Sequence, residues 1–337
     1  MMFWWMSIIS TDSRKDCHSV RAKQPTHEES VAFDRCGIYI AADMQATAQA
    51  TKTWTILALI EWGTEYLNER GFEDSRLNVE LLLSHILHFE RIALYTKFDR
   101  PLSAAELSEF KSAFQRRLKH EPLQYIIGET EFMGLPLYVS PSVFIPRPET
   151  EELVEHALEW IRARSSDRID VLDIGTGSGN IPIALDRFSP VISITSIDIS
   201  AEALEVAARN IERHKCSRIL LERGDVFNNM FPGRLFDVII ANPPYISLAD
   251  FVSLPPEIKG FEPAVATTDN ADGLKFIARI CELAASKLHE KGALFMEIAH
   301  DQGAAAKRIA AEAKLDDISI FKDLSGNERI LCAQQRQ

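Results

Sequence analysis

Asp173-Ile174-Gly175-Thr176-Gly177-Ser178-Gly179-Asn180 is the stretch on which the reading of this 337-residue chain turns. It follows the β-rich run Ile169 to Leu172 and precedes the helical Ile181 to Leu185, so it is a glycine-rich turn between a strand and a helix. Glycine tolerates positive φ and carries no Cβ, which lets backbone amides at a helix N-terminus close on a ligand. The turn therefore predicts a nucleotide-like ligand held by Asp173, Gly175, Thr176, Gly177, Ser178 and Gly179. A dinucleotide fingerprint, G-x-G-x-x-G, needs glycine where Asn180 stands, and this departure argues against a nicotinamide dehydrogenase.

Outward from the turn, β-rich runs alternate with helical stretches from Thr150 onward. The runs are Ile169 to Leu172, Val191 to Ile197, Ile219 to Leu221, Phe236 to Ala241, Ala293 to Glu297, Ile318 to Phe321 and Arg329 to Ala333. Such alternation predicts right-handed βαβ crossovers and a doubly wound, mostly parallel α/β sheet covered on both faces. Ligands of these sheets bind at the carboxyl ends of the strands. Asp198 ends the second run, 21 residues after Gly177, where a carboxylate can accept both ribose hydroxyl protons. Asp225, with Val226 beside it, follows the third run and is placed to meet an adenine amino group. S-adenosylmethionine suits these positions because it offers ribose and adenine but no pyrophosphate.

Upstream the periodicity is different. Val79, Leu82, Leu83, Ile86 and Leu87 follow helical spacing, and Leu107, Phe110, Phe114 and Leu118 form a second stripe after Ser103. Glu106 stands three residues after Ser103, as a capping box requires. A small helical bundle over about Thr53 to Leu118 follows, punctuated by Gly71 and Pro101. Gln124 to Val143, with Gly128 and Gly134, reads as a hairpin, and Phe144-Ile145-Pro146-Arg147-Pro148 as an extended junction. Phe132 and Arg147 in this region are either substrate-entry residues or ordinary packing and ion-pair residues.

Composition narrows the classes further. The chain is 46% apolar and 26% charged, and its 37 Lys and Arg against 49 Asp and Glu leave a net charge of −12. An acidic chain is a poor bulk attractor for phosphate backbones, so no direct nucleic-acid contact is expected. Cys17, Cys36, Cys216, Cys281 and Cys332 are scattered and odd in number, which predicts reduced thiols, no metal site and a cytoplasmic protein. No run reaches the roughly 18 apolar residues that span a bilayer. Residues 1 to 43 lack clear periodicity and read as a poorly ordered extension, with Met44 an alternative start.

The fourth run of the sheet ends in Asn242-Pro243-Pro244-Tyr245. Two prolines cannot continue a central ladder and so fix a rigid polar corner at the strand tip. Together with Asp173 to Gly179, this tetrapeptide resembles the class I S-adenosylmethionine-dependent methyltransferases that modify planar amide or exocyclic amino nitrogens. Three further segments, Glu121 to Gly128, Phe144 to Glu151 and Asp323 to Arg329, make the chain similar to the HemK/PrmC family, the protein-(glutamine-N5) methyltransferases of peptide chain release factors. The resemblance covers about Met44 to Ala333. It departs from the family pattern at Thr267 to Ala271, ahead of Asp272-Gly273-Leu274, and at Ala299.

The resemblance implies a Rossmann-like class I methyltransferase with a seven-stranded sheet, a helical substrate-recognition domain at 44–123, a hairpin linker at 124–149 and a methyltransferase domain at 150–337. It implies methylation of the glutamine in the Gly-Gly-Gln motif of class 1 release factors. The expected clamp is the Asn242 side-chain oxygen and the Pro243 carbonyl, each accepting one N–H of the substrate amide, with Pro244 stiffening the corner and Tyr245 packing on the flat amide. Asn242 also borders the cofactor. The competing readings are a DNA or RNA adenine-N6 methyltransferase, which shares the tetrapeptide, and a non-catalytic cofactor-binding protein, which has no evident need for it.

Overall fold

The computed structural model describes residues 53–228 and 230–336. The expected extension at 1–43, with Cys17 and Cys36, lies outside the described residues. The chain divides into two compact units, one reaching to Lys119 and the other starting at His120.

The first unit is helical, with α1 (Ile56–Asn68), α2 (Ser75–Leu87), α3 (Arg91–Thr96) and α4 (Ala104–Leu118). The apolar stripes face inward: Val79, Leu82, Leu83, Ile86 and Leu87 of α2 are buried, as are Phe110 and Phe114 of α4. Ser103 caps α4 as the sequence requires. Its hydroxyl accepts from the Glu106 N–H at 3.3 Å, while Glu106 Oε2 accepts from the Ser103 N–H at 2.7 Å. Glu80, one of the acidic residues of this unit, is buried and paired with Arg76 and Arg91.

The second unit opens with α5 (Leu123–Ile127), then the hairpin β1 (Glu129–Phe132) and β2 (Leu135–Tyr138), then α6 (Pro148–Arg162). The β-type reading of Gln124 to Val143 is therefore corrected at its start, where residues 123–127 form a helical turn ended by Gly128 at φ +81°. The hairpin turn is Met133-Gly134, both at positive φ, as a tight turn matching strand twist demands. Phe132 and Leu137 are fully buried in the core of this unit. That burial overturns the substrate-entry reading of Phe132, which is a packing residue.

The sheet proper has seven strands in the order β5-β4-β3-β6-β7-β9-β8. They are β3 (Ile169–Ile174), β4 (Ile192–Asp198), β5 (Ile219–Arg223), β6 (Phe236–Ala241), β7 (Leu288–Glu297), β8 (Leu315–Lys322) and β9 (Glu328–Gln335). Six run in one direction, and β9, between β7 and β8, is antiparallel to both. The intervening helices are α7 (Asn180–Phe188), α8 (Ala201–His214), the short α9 (Leu248–Phe251), α10 (Pro256–Phe261) and α11 (Ala264–Thr267), then α12 (Lys275–Lys287) and α13 (Gly303–Glu312).

Period-two alternation sends each strand's residues to two separate cores. Ile239 and Ala241 of β6 pack with Ile277, Ile280 and Ala306 of α12 and α13. Val238 and Ile240 pack on the other face with Leu153, Val154, Ile181 and Ile183 of α6 and α7. Both faces are covered, which is why these strands read as continuous apolar runs. The chain order reverses at β3 and β6, whose carboxyl ends form the crevice where such sheets bind ligands.

Candidate active site

Strand register assembles the site. Ile174 pairs with Ile197 and Ala241, and Ala241 pairs with Met296. One residue further along each strand, Gly175, Asp198, Asn242 and Glu297 therefore stand in a row across the sheet edge. Asp198 pairs with Arg223, which puts Gly224 and Asp225 just beyond the end of the row. A cavity of about 320 Å³ opens along this edge, within the size range of small-molecule sites. Gly175, Thr176, Gly177, Ser178, Asp198, Asp225, Val226 and Asn242 to Tyr245 line it.

On the β3 side the glycine turn adopts the backbone expected of it, with Gly175 at φ +76° and Gly177 at φ +54°. The Gly177 N–H donates to Asp198 Oδ2 at 2.9 Å, and the Ser200 N–H donates to Asp198 Oδ1 at 3.0 Å. Each carboxylate oxygen keeps a lone pair after these contacts, enough for a pair of hydroxyl donors. Ser200, not Asp198, caps α8, accepting from the Ala203 N–H at 3.0 Å. Asp225 forms a local turn in which Oδ1 accepts from the Phe227 N–H at 3.0 Å. Ile199 and Phe227, both partly exposed, add apolar walls that sequence reading passed over. Asn210 on α8, fully buried, donates from Nδ2 to Ser178 O at 2.8 Å and also bonds both backbone groups of Tyr138. It braces the glycine turn against the hairpin.

Two of the expected ligand residues are not on the cavity wall. Gly179 caps α7 at φ +80°, a left-handed backbone that favours glycine, and sits against Ile183 and Ala207 rather than the cavity. Asp173 is completely buried beneath the turn. Neither of its carboxylate oxygens has a hydrogen-bond partner, nor does the Thr176 hydroxyl. Burial pushes the Asp173 carboxyl up to about 7, opposed by the neighbouring Thr176 and Ser196 hydroxyls.

On the β6 side, Asn242 Nδ2 donates to Thr150 Oγ1 at 3.0 Å. The Thr150 hydroxyl is 2.7 Å from Glu297 Oε2, and the Tyr245 hydroxyl is 3.0 Å from Glu297 Oε1. Thr150 and Glu297 are each 1% exposed, so this chain of contacts is closed to solvent at its base. Burial and the Glu297 charge push the Tyr245 hydroxyl well above its ordinary range, so it stays protonated. Tyr245 thus lines the cavity with its hydroxyl anchored on Glu297.

Two further ties set the corner. Gln302 Nε2 donates to Tyr245 O at 2.9 Å and to Gly273 O at 3.2 Å, and a Cβ on Gly273 would lie 2.4 Å from Tyr245 O. Where the sequence departs from the family pattern ahead of Gly273, Asp269 is buried and caps the start of α12, accepting from the Ala271 and Lys275 N–H groups. Ala299 donates its N–H to Gln302 Oε1 at 3.0 Å. Arg147 is an ion-pair residue: it pairs with buried Glu262 and stacks on Phe144, while Glu262 also accepts from the Ile145 N–H. The pair pins the extended segment whose Phe144 and Pro146 line the cavity.

Residues 58–128 match the model of the PrmC N-terminal domain, and residues 153–252 match that of the methyltransferase small domain. A release factor glutamine methyltransferase of Rhodopirellula baltica is 38% identical over 286 residues, spanning 84% of this chain and 97% of that protein. The chain belongs to the release factor glutamine methyltransferase family. A second member, from Geobacter sulfurreducens, is 39% identical over 278 residues, 82% of this chain and 96% of its own length. A solved protein-(glutamine-N5) methyltransferase of Alicyclobacillus acidocaldarius is 27% identical, covers 60% of this chain and 100% of that structure's chain, and has a TM-score of 0.37. Membership of that family makes the chain a glutamine methyltransferase, and its strand order is Rossmann-like. No helix among the described residues is long and apolar enough to cross a membrane.

Proposed function

We propose that this enzyme moves a methyl group from S-adenosylmethionine to the side-chain amide nitrogen, N5, of the glutamine in the Gly-Gly-Gln motif of class 1 peptide chain release factors. The observation that carries the reading is the strand-end register, which brings Asn242-Pro243-Pro244-Tyr245 onto the same cavity as the glycine turn and Asp198. The names of its relatives support the release factor as substrate. The helical unit, matching the PrmC N-terminal domain, is the part we assign to holding that protein substrate. Such a reaction belongs in the cytoplasm, in keeping with the free Cys216, Cys281 and Cys332 among the described residues.

The residues present fit the cofactor. The spare lone pairs of Asp198 suit a ribose diol, Asp225 and Val226 with Ile199 and Phe227 suit a flat base, and Gly175 and Gly177 leave open space beside the backbone where a Cβ would crowd a ligand. When bound, S-adenosylmethionine supplies an electrophilic sulfonium methyl. The protein's task is the nucleophile. An amide nitrogen shares its lone pair with the carbonyl, a conjugation that gives peptide bonds a rotation barrier of roughly 18–20 kcal/mol. The Asn242 oxygen and the Pro243 carbonyl each take one N–H of the substrate NH₂, which favours a pyramidal nitrogen with its lone pair turned outward. Tyr245 packs on the amide plane. Holding the reactants in attack geometry contributes on the order of 7–11 kcal/mol in well-oriented systems, so orientation carries the rate; no general base is assigned, because the proton leaves to water after transfer, when the alkylated nitrogen is far more acidic.

The test incubates purified protein with methyl-labelled cofactor and, in parallel, with release factor or duplex DNA, and locates the label by mass spectrometry. Label on the Gly-Gly-Gln glutamine is expected. Label on adenine overturns the substrate.

A further inference from the structure

We propose that Thr150 and Glu297 are positioning residues for methyl transfer, which set the Asn242 carboxamide so that its oxygen, not its NH₂, faces the substrate. The inference rests on the reading of Asn242 as an amide clamp and adds what holds that clamp the right way round.

The argument is a count of protons. A carboxamide has nearly the same shape in its two orientations, so packing alone does not choose between them. A clamp for an NH₂ group needs the oxygen; the flipped amide would present two donors to two donors. Glu297 ends β7 and is buried among the β6, α6 and β9 ends, with Thr150 and Tyr245 on its two oxygens. An ionised carboxylate only accepts, so both hydroxyls must donate to it. Thr150 has one hydroxyl proton, and that proton is then committed to Glu297. Its oxygen has only lone pairs left for Asn242, so the group facing it must be the NH₂, as the 3.0 Å contact from Nδ2 has it. Oδ1 of Asn242 accepts from no donor among the described residues and is left for the substrate.

The same count gives a dependence on pH. Protonated Glu297 becomes a donor itself, which releases the Thr150 proton to point at Asn242 and favours the flipped amide. The groups facing Glu297 are Thr150 and Glu149 of α6, Tyr245 after β6 and Arg329 of β9, the last also held by Asp323 at 3.3 Å. Burial and Glu149 raise the Glu297 carboxyl above its ordinary range, against the pull of the two hydroxyls and Arg329. The active form is the ionised one, so kcat falls on the acid side.

The experiment uses the full-length enzyme with release factor and S-adenosylmethionine, measuring kcat and KM for each, cofactor affinity by calorimetry with S-adenosylhomocysteine, and thermal unfolding. Wild-type methylation of the glutamine is the control, and its absence would count against the function proposed above, separately from this inference. Thr150→Val keeps the shape and removes the hydroxyl; a roughly 100-fold fall in kcat is expected, the scale typical of a misplaced reacting group, with cofactor affinity near wild type and an unfolding temperature lowered by several degrees for the lost donor to Glu297. Thr150→Ser restores the hydroxyl and should recover kcat to within about threefold, far short of a 100-fold loss. Glu297→Gln should lower kcat and remove the acid limb of its pH profile. Tyr245→Phe takes one donor from Glu297 and should move that limb to higher pH whatever its effect on the plateau. Valine and serine variants that fall together, or a Thr150→Val enzyme with wild-type kcat, overturn the proposal. So does an acid limb that stays in place in both Glu297→Gln and Tyr245→Phe.

Discussion

The two halves of the cavity are built in opposite ways. On the cofactor side, Asp198 and Asp225 are satisfied by backbone amides close in sequence or from the turn after the neighbouring strand, such as Ser200 and Phe227 two residues on, with Asn210 a more distant brace on Ser178 O. On the substrate side, Asn242 and Tyr245 depend on side chains 92 and 52 residues away. A ligand site made of local turns is a short motif, whereas a clamp that must present one atom of a symmetric-looking group needs buried partners from elsewhere in the fold. The difference teaches where each half is vulnerable.

The sharpest break is Asn242→Ala. It removes one of the two acceptors proposed for the reacting nitrogen and should cut turnover by about 10²–10³-fold, the scale of losing one preorganised polar group. S-adenosylhomocysteine affinity measured by calorimetry should stay within a few-fold of wild type, because the cofactor half does not need the clamp. Turnover close to wild type would sink the division of labour between the halves.

Asp198→Ala attacks the other half. It removes acceptors for the Gly177 and Ser200 N–H groups, together with the ribose contact proposed for Asp198. Charged hydrogen bonds are worth about 1.5–3 kcal/mol, so cofactor affinity should drop roughly 10- to 100-fold. At saturating cofactor, kcat should recover most of its wild-type value, the opposite pattern to Asn242→Ala.

Gly273→Ala probes the join between the clamp and its supports. A Cβ would stand 2.4 Å from Tyr245 O and 2.7 Å from Gln302 Nε2, at a φ of +84°. Both strain and displacement fall on the tetrapeptide. Stability should drop by about 1–3 kcal/mol in thermal unfolding, with kcat falling more than cofactor affinity.

Asp173 gives a pH signature confined to the cofactor half. Its folded pKa of about 7 lies above that of an unfolded aspartate. Its contribution is therefore complete below the ordinary carboxylate range and declines as pH rises toward about 7, because ionising a buried carboxyl is costly only in the folded state. Asp173→Asn should gain on wild type in unfolding temperature between pH 5 and pH 8. Parallel curves would show that the carboxyl titrates elsewhere.

The smallest effect belongs to the helical unit. Ser103→Ala removes half of a capping box and should cost about 1 kcal/mol in unfolding while methyl transfer stays at the wild-type rate. Glu106, lowered to about 2 by Arg100 and the Ser103 N–H, adds stability that is present above the ordinary carboxylate range and is lost as pH falls toward about 2.

How much was legible follows the same line. The α2 stripe, the Ser103 cap, the β6 run and the glycine turn are written in spacings of three, four and two residues, and each sits where its pattern puts it. Residues 123–127 misled because Tyr125, Ile126 and Ile127 are good strand residues drawn into one helical turn by Pro122 and Gly128. Phe132 misled because an aromatic beside a hairpin turn faces either core or cleft, and only packing decides. Thr150 sits inside a quoted segment, but nothing adjacent to it in sequence marks its hydroxyl as a partner for Asn242.

Sequence by itself determined the alternation of strands and helices, the glycine turn, the rigid Asn-Pro-Pro-Tyr corner and the carboxylate at the tip of β4, because backbone chirality, proline geometry and side-chain periodicity act over a few residues. The tertiary structure alone decided that β6 lies beside β7 in the register that sets Glu297 across from Asn242, and that α6 delivers Thr150 between them. Pairing of segments more than 50 residues apart is chosen by the burial of two whole cores, and no short stretch of chain carries that choice.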